Sequence, residues 1–161
     1  MKSLDELLQM NEDERARYLY WEARNSNKRL DPVYEEMIKI SIEYIYGYAL
    51  TVIKGRWKEA EPIIIKHPEY TYRYAMYIIK GRWKEAEEYI KKNPLYAYKY
   101  AEDVIKGRWP EAEPYIMKDF KWAYKYARNI IKGRWPEAEK HIKKNKFYWS
   151  QYCDWFKIEG D

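Results

Sequence analysis

Apolar positions recur along this chain at helical spacing, in short blocks. In residues 58 to 66 they fall at Ala60, Ile63 and Ile64, the i, i+3, i+4 pattern of a short helix, and Ala86, Tyr89, Ile90 and Ala112, Tyr115, Ile116 repeat it. A wider block follows each time. At about 100° per residue, Tyr70, Tyr74, Ile78, Thr71, Ala75, Ile79 and Tyr72 cover an arc of about 200°, leaving Arg73, Met76, Tyr77 and Lys80 on the remainder. The pattern predicts pairs of antiparallel helices of roughly 9 and 13 residues. The first helix of each pair has the narrower stripe and is the more exposed.

The blocks belong to a repeat. Ile-Lys-Gly-Arg-Trp begins at Ile53, Ile79, Ile105 and Ile131, 26 residues apart each time, with Glu-Ala-Glu and an aromatic cluster behind it. Carried backward, the register aligns Tyr44, Tyr46, Tyr48 and Ala49, then Tyr18, Tyr20 and Ala23. The chain therefore divides into units 3–28, 29–54, 55–80, 81–106, 107–132 and 133–158, the first two degenerate as capping units are. The expected fold is all-α, a single domain over residues 1–161 built as an α-solenoid of about six 26-residue helix hairpins. One pair of short helices cannot bury its own apolar face, and stacking supplies the core.

Punctuation refines the elements. Pro110 and Pro136 suit the first residue of the first helix, whereas Pro62 and Pro114 make it start late or kink. Ser41, Asn93, Asp119 and Asn145 are N-caps for the second helix, His67 takes the same slot, and Pro68 and Pro94 follow at the first helical position. The repeat glycine reads as the left-handed residue that closes the second helix, with Lys80, Lys106 or Lys132 in its last turn. Arg56, Arg82, Arg108 and Arg134 precede their own glutamates by three and five residues, which predicts a ladder of ion pairs. Trp57, Trp83, Trp109 and Trp135 are expected packed in the seam.

Composition narrows the function classes. With 19 Tyr, 8 Trp and 35% charged residues, the chain is amphipathic and folded, not disordered. It contains no membrane-length apolar run, and Met-Lys-Ser-Leu-Asp-Glu lacks a signal-peptide core, so a cytoplasmic protein is expected. Cys153 is alone and occupies the slot of Ala127, reading as a small buried hydrophobe, while His67 and His141 have no repeated carboxylate partner. No nucleophile and base, metal cluster or phosphate loop stands out, so neither an enzyme nor a cofactor is expected.

The run Lys-Gly-Arg-Trp-Pro-Glu-Ala-Glu at 106–113 and 132–139, with its trailing Tyr-x-Tyr-Ala, resembles a helical-repeat family of tailed bacteriophage genomes over residues 53–157. The resemblance implies a phage protein acting inside a bacterium and carries no catalytic residue. In its Trp, Gly, Tyr and Ala usage the unit also resembles tetratricopeptide helix pairs, although its 26-residue period is shorter.

Charge points to a surface. Residues 3–54 carry a net −3 and residues 55–158 a net +9. Arg73, Lys99 and Lys125 form one expected row, Lys80, Lys106 and Lys132 a second beside it, and Lys66, Lys92, Lys118 and Lys144 a third. Tyr70, Tyr96 and Trp122 edge the apolar arc on one side, and Tyr72, Tyr98 and Tyr124 on the other, each expected to bury a ring and leave a polar tip wet. A basic, tyrosine-lined face suits a host bacterial protein with an acidic surface, the concrete form being an inhibitor or adaptor against an anti-phage defence. The alternative is single-stranded nucleic acid stacking on the same tyrosines. Trp149, Trp155 and Phe156 in the last helix call for a cap, supplied by residues 157–161 folding back or by a homodimer through the C-terminal unit.

Overall fold

A computed structural model describes residues 1–159, so the last two residues of the expected C-terminal fold-back lie outside the described residues. Every regular element among them is helical. The pairs are α1 (Leu4–Leu8) with α2 (Glu12–Ser26), α3 (Pro32–Ile38) with α4 (Ile42–Tyr48), α5 (Glu61–Ile64) with α6 (Pro68–Tyr74), α7 (Lys84–Ile90) with α8 (Pro94–Tyr100), α9 (Glu113–Ile116) with α10 (Phe120–Tyr126), and α11 (Pro136–Ile142) with α12 (Lys146–Phe156). The architecture is the expected all-α repeat solenoid. Its contacts group into two compact units, Met1–Ile79 and Lys80–Asp161.

Local chemistry explains most boundaries. Side chains of Ser41, Asn93, Asp119 and Asn145 accept backbone N–H groups at the starts of α4, α8, α10 and α12, whereas His67 makes no such bond. Pro62 and Pro114 confine α5 and α9 to four residues beginning at Glu61 and Glu113, so Pro110 lies in the preceding turn, while Pro136 opens α11.

The ends of the second helices depart from expectation. α4, α6, α8 and α10 each continue into a π turn, Ala49–Ile53, Ala75–Ile79, Ala101–Ile105 and Ala127–Ile131. The left-handed residue that follows is Lys54, Lys80, Lys106 or Lys132, and no glycine has positive φ. Lys106 and Gly107 both donate their N–H to the Ala101 carbonyl, the latter at 3.1 Å. The end helices lack the π turn: Asn27 and Lys157 are left-handed four residues after Ala23 and Cys153, where the inner helices take five after their alanine. One inserted residue therefore moves the reversal onto the lysine, and the glycine after it sits at a bend without positive φ.

Within Met1–Ile79, α4 packs on α2, α5 and α6; within the second unit, α10 packs on α8, α9, α11 and α12. The seams are fully buried at Ala49, Ala75, Ala101 and Ala127 and at Ile64, Ile90, Ile116 and Ile142. Gly47 is required by close approach, since a Cβ there would sit 2.7 Å from the Tyr20 hydroxyl. The last repeat closes itself: Trp149 stacks on Tyr152 at 5.5 Å and Phe156 meets the same ring edge-on at 4.7 Å, and Tyr152 is fully buried. This helix's own aromatics cover Tyr152, and the fold-back expected of residues 157–161 lies partly outside the described residues.

Two stability measurements check these features. Lys106→Gly is expected to raise stability by about 1 kcal/mol by removing left-handed strain, and Gly107→Ala, whose Cβ meets open space, to leave it unchanged or slightly raised; denaturant melts read both. Ala101→Glu puts a carboxylate into a fully buried seam and should cost about 3 kcal/mol or more.

Candidate functional site

The motif residues converge on one constellation in each motif-bearing repeat, its tyrosine and tryptophan buried and its arginine exposed. In the fifth, Arg108 grips Glu113 through two hydrogen bonds of 2.8 and 2.9 Å, the Tyr126 hydroxyl donates to Glu113 Oε1 at 3.0 Å, and the Trp109 backbone N–H donates to that hydroxyl at 2.7 Å. Arg56–Glu61–Tyr74–Trp57, Arg82–Glu87–Tyr100–Trp83 and Arg134–Glu139–Tyr152–Trp135 repeat it. Trp57, Trp83, Trp109 and Trp135 are all buried, so the arginine ladder and the seam tryptophans stand as expected. Burial pushes the Tyr74, Tyr100 and Tyr126 hydroxyls well above the ordinary phenol range, and Tyr152 to about 12. For Glu61 and Glu87 burial acts upward, but the hydrogen bonds from the arginine and the tyrosine outweigh it and hold both carboxyls below the usual value.

A fifth copy was hidden. Arg29 grips Glu35 at 2.6 and 3.2 Å, Tyr48 donates to Glu35 at 3.0 Å, and the Leu30 N–H donates to Tyr48 at 2.7 Å. Arg29 stands one residue ahead of the 26-residue register because α2 lacks the π-turn residue; counting two residues from the left-handed cap finds it.

The expected partner-binding residues divide by exposure. Arg73, Lys80, Lys106 and Lys132 are exposed; Lys99, Lys125, Tyr70, Tyr72, Tyr96 and Trp122 are half-buried; Tyr98 and Tyr124 are buried. The two tyrosine rows meet across seams between neighbouring repeats: Tyr46 packs on Tyr70 at 5.5 Å, Tyr98 on Trp122 at 5.4 Å, and Tyr124 on Tyr148 at 6.1 Å. Nor are the hydroxyls of Tyr98 and Tyr124 left to water, as the sequence suggested. Tyr98 accepts from Asn129 Nδ2 at 2.8 Å, and Tyr124 from Arg128 at 3.4 Å. Burial, with Glu102 beside it, pushes Tyr98 up to about 12.

The basic row sits on the aromatic edge row. Arg73 lies over the Tyr70 ring at 5.7 Å, Lys99 over Tyr96 at 5.7 Å, and Lys125 over Trp122 at 5.0 Å. Lys121, also over Trp122 at 4.9 Å, and Arg128, over Trp155 at 3.9 Å, were not singled out from the sequence. Their signal lay in the helical spacing within the fifth repeat, and the comparison between repeats overlooked it.

Elsewhere the inventory is plain. Two surface recesses of about 310 Å³ lie in the first compact unit, one bounded by Met10, Glu14, Arg17, Tyr18 and Trp21, the other by residues around Met1 and Leu30. His141 is half-buried with Nδ1 unpartnered, and burial together with Lys144, Lys140 and Lys118 lowers its pKa. Burial raises the Cys153 thiol. Among the described residues no group of His, Cys, Asp or Glu is placed to hold a metal, and no helix is long and apolar enough to cross a membrane.

Two perturbations test the constellation. Tyr126→Phe leaves the Trp109 N–H without its buried acceptor and should cost about 1 to 3 kcal/mol in a denaturant melt. Because Glu61 and Glu87 ionise below the ordinary carboxylate range in the folded state, their contribution is present above about pH 4.5 and is lost as pH falls through their folded values. The melting temperature should drop across that acid window, and less steeply in Glu87→Gln.

Comparison with known proteins adds no relative: no family model matches the chain, and no curated protein or solved structure does.

Proposed function

We propose that this protein is a non-enzymatic binding scaffold that engages an acidic surface of a host bacterial protein, inhibiting or redirecting it. The observation that carries this reading is the allocation of charge. Glu61, Glu87, Glu113 and Glu139 are consumed inside the repeats by arginine and tyrosine, while the cations of the second helices face outward, seated on aromatic rings. Rings beneath a cation lower its hydration and favour a charged partner over water. The resemblance of the Lys-Gly-Arg-Trp-Pro-Glu-Ala-Glu motif to the phage repeat family supports a phage protein at work in the bacterial cytoplasm, with a defence component as its target.

A protein target fits better than single-stranded nucleic acid. Base stacking needs open ring faces, and Tyr98 and Tyr124 are buried with their hydroxyls engaged. Association of two copies through the exposed Phe147 and Trp155 is a separate proposal, read by sedimentation.

The test is affinity purification of a tagged copy from expressing bacteria, with and without nuclease. A co-purifying protein is expected to persist after nuclease and to be lost, about tenfold or more, with Lys99→Glu plus Lys125→Glu, since reversing charge at a charge-complementary interface should cost about 1.4 kcal/mol or more in total. A partner that vanishes with nuclease replaces this reading with the nucleic-acid one.

A further inference from the structure

The repeats serve as controls for one another. On the outward face of each second helix, four positions spaced i, i+4, i+7 and i+11 form one stripe. The stripes read Glu69, Arg73, Met76, Lys80 in the third repeat and Leu95, Lys99, Glu102, Lys106 in the fourth; in the sixth they read Phe147, Gln151, Asp154, Ile158. In the fifth all four are cations: Lys121, Lys125, Arg128 and Lys132. The first repeat comes nearest, with Arg17, Trp21, Arg24 and Lys28.

Two further observations set the fifth stripe apart. Arg73 is neutralised by Glu69 at 2.6 Å, but among the described residues none of the four cations of the fifth stripe forms an ion pair. Three of them also rest on tryptophan, Lys121 and Lys125 on Trp122 and Arg128 on Trp155. Trp122 is held from the fourth repeat by Tyr98, stacked at 5.4 Å, and Arg128 is held further by the Tyr124 hydroxyl. Three of the four cations are therefore positioned by rings, Trp122 half-buried between repeats and Trp155 exposed beside it, which reduces the ordering cost of binding.

Resting on the protein-binding reading above, we propose that the docking site of the second compact unit is this single stripe, Lys121–Lys125–Arg128–Lys132 along α10 and its π turn, and that it takes an extended acidic polypeptide segment. Spacing selects the segment. Successive cations stand about 4.5 to 6 Å apart along the axis, and same-face side chains of an extended chain recur at about 6.8 Å. Carboxylates on every second residue recur at a comparable interval, and the long lysine and arginine side chains span the difference of about 1 to 2 Å per step.

The probe is a fluorescein-labelled 12-residue peptide of alternating Glu and Ser, with labelled dT12 beside it, read by anisotropy at low salt on the full chain. Wild type is expected to bind the peptide, and Lys125→Glu plus Arg128→Glu to weaken it more than tenfold. The matched double reversal Lys99→Glu plus Lys106→Glu should weaken it less than threefold. Trp155→Ala, which keeps every charge, should cost three- to tenfold, and circular dichroism verifies that each variant remains helical. Equal losses from the two double reversals, or no effect of Trp155→Ala, overturn the single-stripe assignment while leaving a basic protein-binding face. Tighter binding of dT12 than of the peptide overturns the protein reading itself, and no peptide binding by wild type overturns the stripe.

Discussion

One buried phenol holds each repeat. The hydroxyl of Tyr126 takes the Trp109 N–H and gives its own proton to Glu113, itself gripped by Arg108. An amide at a tight reversal has no helical partner, and leaving it buried and unpaired is costly. The tyrosine satisfies it from the second helix, so one hydroxyl ties the turn, the second helix and the ion pair together. The ring of the same tyrosine then lies 5.0 Å from Trp135, whose N–H is held by Tyr152, so within the second compact unit one repeat passes its geometry to the next.

That arrangement also explains how the surface acquires its sign. In each motif-bearing repeat the second glutamate of Glu-Ala-Glu is held by an arginine and a tyrosine of its own repeat instead of by a neighbouring lysine. Outside these pairs, Glu59, Glu85, Glu111 and Glu137 stay exposed ahead of or on the first helices, while ring-seated cations occupy the second helices. Each Arg–Glu pair cancels itself, so the net charge of +5 is carried by the residues outside these pairs, among them the ring-seated cations of the second helices.

Much of this was legible in the chain and some was not, for identifiable reasons. The helix pairs, the N-caps at Asn93, Asp119 and Asn145 and the late starts at Pro62 and Pro114 follow from local chemistry that needs no partner. The π turns were invisible because an inserted residue present in every inner repeat leaves the 26-residue period intact; its trace is Arg29, displaced by one. Glycine was assigned the left-handed cap on propensity, yet Lys54, Lys80, Lys106 and Lys132 hold it. The hydroxyls of the tyrosine rows looked wet on an isolated wheel, and a wheel omits the neighbouring helix. Tyr98 is covered by Trp122, 24 residues on, a distance in sequence that no single-helix projection contains.

The closure of the last repeat bears on how such a chain changes over time. Trp149 and Phe156 cover Tyr152 where an inner repeat would use the tryptophan of its successor. The terminus is thereby independent of how many repeats precede it, and each inner constellation is complete within its own 26 residues. In-frame duplication or loss of one inner unit would give a longer or shorter array with the same finished end, so copy number is a parameter that recombination can vary without remaking the terminus.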